Sequence, residues 1–197
     1  YREYLDYQNP VAAPRTLETV THRRGVLFVK PDFWIVRDTL TSTDDLDHTA
    51  DVLFHVNADN LDLNPDTLAT VSTTEKPCGA ALMLAPFQAD GLTADVVKGK
   101  MEPPVQGWSR CEGRRDSDLP MAAVPTLILK RTWKTRTDIV TVLFPFPGAG
   151  EAPIASLDVL AQEDDLFSGR ISLATGSNHV CLWNDTPGTP RAVAGLT

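Results

Sequence analysis

A histidine and an aspartate bracket one apolar run of the chain, HRRGVLFVKPDFWIVRD, from His22 to Asp38. Both residue types bind divalent cations, histidine through a ring nitrogen and aspartate through carboxylate oxygens. The run between them reads as a tight β-hairpin. Lys30-Pro31-Asp32 supplies the turn, because proline fixes φ and aspartate tolerates turn conformations. If Val29 faces Phe33, His22 lies opposite Leu40 and diagonal to Asp38, on the same face of the sheet. Diagonal β-carbons are roughly 7–8 Å apart, close enough for an imidazole and a carboxylate to share a cation. A two-residue turn shifts the register by one and sends the two side chains to opposite faces. A third ligand has to come from the next strand, HTADVLFHV, which holds His48 and His55. Hairpin geometry across the 41–47 loop brings His48 toward Asp38, whereas His55 needs a longer approach or a curved sheet. Two histidines and a carboxylate suit zinc, with room for a water. Spacing alone favours a hydrogen-bonded His–Asp pair or two solvated groups over a metal site.

The elements that hold these residues are strands from end to end. Fifteen prolines and twelve glycines cut the chain into short segments rich in Val, Leu, Ile, Thr and Phe. Strands are expected near 19–29, 33–40, 48–56, 67–74, 79–85, 122–133, 137–145, 154–160, 169–175, 179–184 and 190–195. Many short strands between turn signals make an all-β, antiparallel, multi-stranded β-sandwich and not a βαβ fold. A short helix near 157–163 competes with strand there. Residues 1–18 carry Pro10 and Pro14 and lack periodicity, so they read as a lead-in segment before a sandwich domain over 19–197. The stretch 86–121 is the least regular, and long insertions of that kind often carry binding residues.

Bulk properties narrow the function classes. The net charge of −8 argues against nucleic acid or an anionic membrane as partner. No apolar run approaches the roughly 18 residues a membrane span needs. Cys78, Cys111 and Cys181 lie far apart and form no C-x-x-C pair, so a thiolate zinc cage is not expected. The start, Tyr1-Arg2-Glu3, shows no secretion leader and reads as the edge of a piece of a longer chain.

The pattern Thr21-His22-Arg23-Arg24, then Val26-Leu27-Phe28-Val29-Lys30-Pro31-Asp32-Phe33-Trp34-Ile35-Val36, then Asp38 and later Phe54-His55 resembles the heparinase II/III family of polysaccharide lyases. The likeness is to the β-sandwich that follows their helical toroid. A weaker second block is Pro103-Pro104-Val105-Gln106-Gly107-Trp108 with Thr141-Val142-Leu143-Phe144-Pro145; the last fifty or so residues match only as generic sheet.

The resemblance implies β-elimination on uronic-acid-containing glycans. The family's catalytic tyrosine and most of its active-site histidines and asparagines come from the toroid, so no catalytic residue is assigned here. Where several members carry a sandwich histidine, this chain has Val20. The chain alone is therefore expected to be inactive. The resemblance also implies a structural divalent metal, usually zinc, carried over onto His22, Asp38 and His55, with His48 as substitute. For the substrate it leaves Arg24, Trp108 and Arg110, the last in a basic cluster with Arg114 and Arg115. Arg23 and Arg24 fall on opposite faces, and either can grip a carboxylate with both arms of its guanidinium, although a solvated or salt-bridged face is the commoner fate of such a residue. Trp34, Trp133, Trp183 and His179 are expected to pack. The implied partners are an acidic polysaccharide and the toroid of the parent chain, in the periplasm or outside the cell. A non-catalytic carbohydrate-binding or interaction module is the competing expectation.

Overall fold

The computed structural model describes residues 19–74, 79–110, 121–148, 150–186 and 188, with Arg110 described by its backbone only. The lead-in segment 1–18, the strand expected near 190–195, Cys78, Cys111, Arg114 and Arg115 lie outside the described residues.

Among the described residues every regular element is a strand. The first half holds β1 (Val20–Val29), β2 (Phe33–Ser42), β3 (His48–His55), β4 (Asn60–Leu63), β5 (Thr70–Thr73), β6 (Ala80–Pro86) and β7 (Thr93–Val97). The second half holds β8 (Trp108–Arg110), β9 (Met121–Ala123), β10 (Thr126–Trp133), β11 (Arg136–Pro147), β12 (Ile154–Glu163), β13 (Leu166–Leu173) and β14 (Asn178–Asn184). Residues 157–163 belong to strand β12, so the helix alternative is set aside. Strand replaces irregular chain at β7 and β8. The strand expected at 67–74 narrows to β5, with β4 added before it, and the strand expected at 122–133 breaks at Val124-Pro125, where proline removes a backbone donor. No described helix is long and apolar enough to cross a membrane.

Three sheets stack. The central one has six strands in the order β1-β2-β11-β6-β5-β4. The sheet β3-β10-β7 packs on one of its faces, through Leu84 and Ile139 against Val52, Leu127 and Leu129. The sheet β12-β13-β14 packs on the other, through Phe33, Ile35 and Val142 against Phe167 and Ile171. Each such side chain removed from water contributes about 1.5–3 kcal/mol. Cover on both sides explains why most of β2 is continuously buried where a half-exposed strand alternates. Trp133 and Trp183 pack as expected, the second with its indole against Gly25. The ring of His179 stands edge-on to Phe33.

One end of the central sheet closes on charge. Arg37 is 2% exposed and Asp138 4%. The Arg37 Nε and Nη2 each donate to one Asp138 oxygen at 3.2 Å, and the Thr39 hydroxyl donates to the same carboxylate at 2.6 Å. Asp185, just after β14, lies 3.3 Å from Arg37 Nη1 and 2.6 Å from Arg23 Nη2, which ties the third sheet to β1 and β2. Removing one member of such a buried pair strands the other charge. Asp138→Ala should therefore cost about 3–5 kcal/mol in chemical denaturation, while Arg37→Met with Asp138→Leu should recover most of that loss. A single-mutant cost below about 1 kcal/mol would show that water or a neighbouring group compensates Arg37.

Candidate functional site

The β1–β2 hairpin sets the site. The Asp32 N–H donates to the Val29 carbonyl at 2.9 Å, which closes a three-residue turn. Val29 pairs with Phe33, Arg24 with Asp38 and His22 with Leu40. His22, Arg24 and Asp38 therefore share the face that looks toward β3-β10-β7. The Asp38 carboxylate is fully buried and takes three hydrogen bonds. His22 Nε2–H and Arg24 Nε–H both donate to Oδ1 at 2.7 Å, and Arg24 Nη2 donates to Oδ2 at 3.0 Å. Charge-assisted, two-armed contacts of this kind are the strongest in the side-chain repertoire. Above them, the Arg24 guanidinium carbon lies 5.8 Å from the centre of the Phe54 ring, within reach of a cation–π contact. His22 and Arg24 are each about half exposed, at 49% and 41%. Chemically, this is an imidazole and a guanidinium oriented by one buried anion.

The candidate third ligands lie elsewhere. β3 does not pair with β2; it pairs with β10 in the covering sheet, so the 41–47 loop crosses between layers and does not close a hairpin. That corrects the placement of His48 near Asp38. Its Nε2 sits 2.8 Å from Asp44 Oδ1 and 3.0 Å from the Ser42 hydroxyl, and its ring lies 4.9 Å from that of Trp133. The Asp44 carboxyl is held down at about 2, first by the Thr19 hydroxyl, then by the Leu46 N–H and by His48, against a smaller opposing effect of burial. His55 is exposed and its neighbour Phe54 is the residue that packs inward. Successive strand residues point to opposite faces, so the strand that brings Phe54 to Arg24 turns His55 away. Among the described residues, no three His, Cys, Asp or Glu side chains are grouped so as to hold a metal. The set that does assemble does not fit a divalent metal. Both Asp38 oxygens and the His22 Nε2 proton are already engaged, and the third group is itself a cation.

Among the described residues, Trp108 takes its contacts outside this cluster. Trp108 is half-buried in β8, its indole N–H donating to the Lys100 carbonyl at 3.0 Å while its ring edge packs beside Gly99. Gly107, immediately before it, has φ +78°, and an added β-carbon would run into the Lys98–Gly99 backbone. Only glycine can hold Trp108 in that turn. The Arg110 backbone pairs with Met121. Sequence reasoning missed the Arg37–Asp138 pair on the opposite face. Its visible signal is the adjacency of two opposite charges, Arg37-Asp38, inside an apolar strand.

No family model and no curated protein matches the chain. Solved structures do match in fold. The heparan sulfate lyase HepC from Pedobacter heparinus superposes with a TM-score of 0.65 over 88% of this chain and 25% of its own, at 15% sequence identity. A heparinase III structure gives 0.64 over 85% of this chain and 24% of its own, at 14% identity. A second heparinase III gives 0.63 over 87% and 25%, at 13% identity. The fold is thus that of a β-sandwich region found in heparinase III structures, and this chain spans about a quarter of their length.

The Asp44–His48 contact is open to measurement. Because the folded value lies below the ordinary 3.8, the stability it contributes is present above about pH 4 and is lost as pH falls toward 2. Carboxyl NMR should find Asp44 titrating near 2, with Thr19→Val raising the midpoint more than His48→Phe. A wild-type midpoint near 3.8 would mean that Asp44 is not held by these partners.

Proposed function

We propose that the chain is the β-sandwich part of a polysaccharide lyase that cleaves uronic-acid-containing glycans by β-elimination, working in the periplasm or outside the cell. The observation that carries this reading is the likeness in fold, over 85–88% of this chain, to a heparan sulfate lyase and a heparinase III about four times as long. In this reaction a base takes the proton from C5 of the uronate, its electron pair forms the C4–C5 double bond, and the 4-linked oxygen leaves with a proton from a donor. A base poised near working pH and hydrogen-bond donors over the uronate carboxylate are needed. Both come from outside this chain in our reading. The sandwich supports the cleft, with Arg24, Trp108 and Arg110 as its contributions to substrate contact.

The edge of the central sheet supports a larger parent. Among the described residues β1 is an outer strand, and Val26, Leu27 and Phe28 on it are 61%, 38% and 40% exposed. An exposed apolar run on an outer strand is a surface that proteins normally cover. The remainder of a longer chain is the occupant we assign to it.

The test compares the full-length protein with this chain alone on heparan sulfate, hyaluronan and alginate, following the ultraviolet absorbance of unsaturated uronate. The full-length protein should produce it and the isolated chain should not. Turnover by the isolated chain would place the base within it and overturn the division of labour. Glycan binding by the full-length protein without unsaturated product would replace the lyase with a carbohydrate-binding module.

A further inference from the structure

The strand that faces Asp38 decides what stands beside it. A divalent ion held by His22 and Asp38 needs a ring nitrogen with a free lone pair, an open carboxylate oxygen and a further donor. The junction of β1, β2 and β3 does not assemble that set: the His22 nitrogen that faces Asp38 is the one carrying the proton, and no third donor with a lone pair joins it. His22 Nε2–H points its proton at Oδ1, and Arg24 covers both oxygens, at 2.7 and 3.0 Å. The residue entering from β3 is Phe54, whose ring has no lone pair to give. Each of these features instead suits a guanidinium. The carboxylate matches its planar fork, and the aromatic face attracts its charge.

We infer that Arg24 is a cation built into this chain: its guanidinium occupies the three-strand junction where the family resemblance leads one to expect a metal, and joins β1, β2 and β3 in its place. The assignment stands on this geometry and not on the lyase reading, so either can fail without the other. It also gives Arg24 a first duty other than substrate. Its Nε–H and one Nη2–H are committed to Asp38, which leaves the outer Nη1 and Nη2 hydrogens to meet a glycan carboxylate.

A metal bound only to the folded state raises stability by mass action, so melting temperature reads its presence. The purified wild-type chain should contain no stoichiometric divalent metal by elemental analysis. Its Tm should move neither with excess chelator nor with added zinc chloride. Arg24→Met, which keeps the stem and removes the charge, should lower Tm by several degrees. Arg24→Lys should recover only part of that loss, because an ammonium cannot form the fork. Near-stoichiometric metal in the wild type, a fall in Tm on chelation, or a rise with zinc would overturn the inference. So would an Arg24→Met variant as stable as wild type. If Arg24→Met does not fold, the wild-type metal measurements and Arg24→Lys still decide the matter.

Discussion

Arg37 and Asp38 are neighbours in β2, carry opposite charges, and are both buried, at 2% and 0% exposure. Adjacent residues in a strand face opposite ways, so each charge sits in a different interlayer space and cannot neutralise the other. Each therefore requires its own partner. Arg37 finds Asp138 of β11, with Asp185 behind it; Asp38 finds Arg24 and His22 of β1. A slip of one residue in β2 would exchange the two charges between faces and leave both without partners. The cost of an unpaired buried ion thus pins the β1-β2-β11 register more tightly than apolar packing alone.

That constraint explains the layering. The central sheet carries charged side chains at one end of both faces, and each face needs a cover to complete the pairing. The sheet β12-β13-β14 does this through Asp185, whose carboxylate meets Arg23 and Arg37 from beyond β14. The sheet β3-β10-β7 does it through the ring of Phe54 over Arg24. Apolar burial supplies the bulk of the driving force, and the ion pairs select one arrangement of layers.

The same pairing bears on function. With a net charge of −8, the chain attracts a polyanion only through local basic groups. The two arginines at the start of β1 are already paired, Arg23 with Asp185 and Arg24 with Asp38. These two cations serve the chain's own joints before they serve a ligand. This agrees with a supporting part in our proposed lyase, in which the chemistry lies elsewhere. In that proposal, the apolar edge at Val26, Leu27 and Phe28 is the surface by which the support is attached.

What the sequence determined by itself is local. The turn at Lys30-Pro31-Asp32 follows from turn chemistry, and alternation then allows two registers; the three-residue closure seen in the structure selects the one that pairs Val29 with Phe33 and puts His22 and Asp38 on one face. The all-β class followed from the same short-range pattern repeated along the chain. Tertiary structure decided everything that depends on which layer covers which. A period of two says that Phe54 and His55 oppose each other; it does not say which looks inward until β3 is seen to pair with β10 and not with β2. For that reason His48 went to Asp44, His55 went to the surface, and a guanidinium took the place expected for a metal. Arg37 and Asp138 are 101 residues apart. Strand alternation ties a residue to its near neighbours, and nothing in it says which distant strand, here β11, will pair beside β2 and bring Asp138 to Arg37.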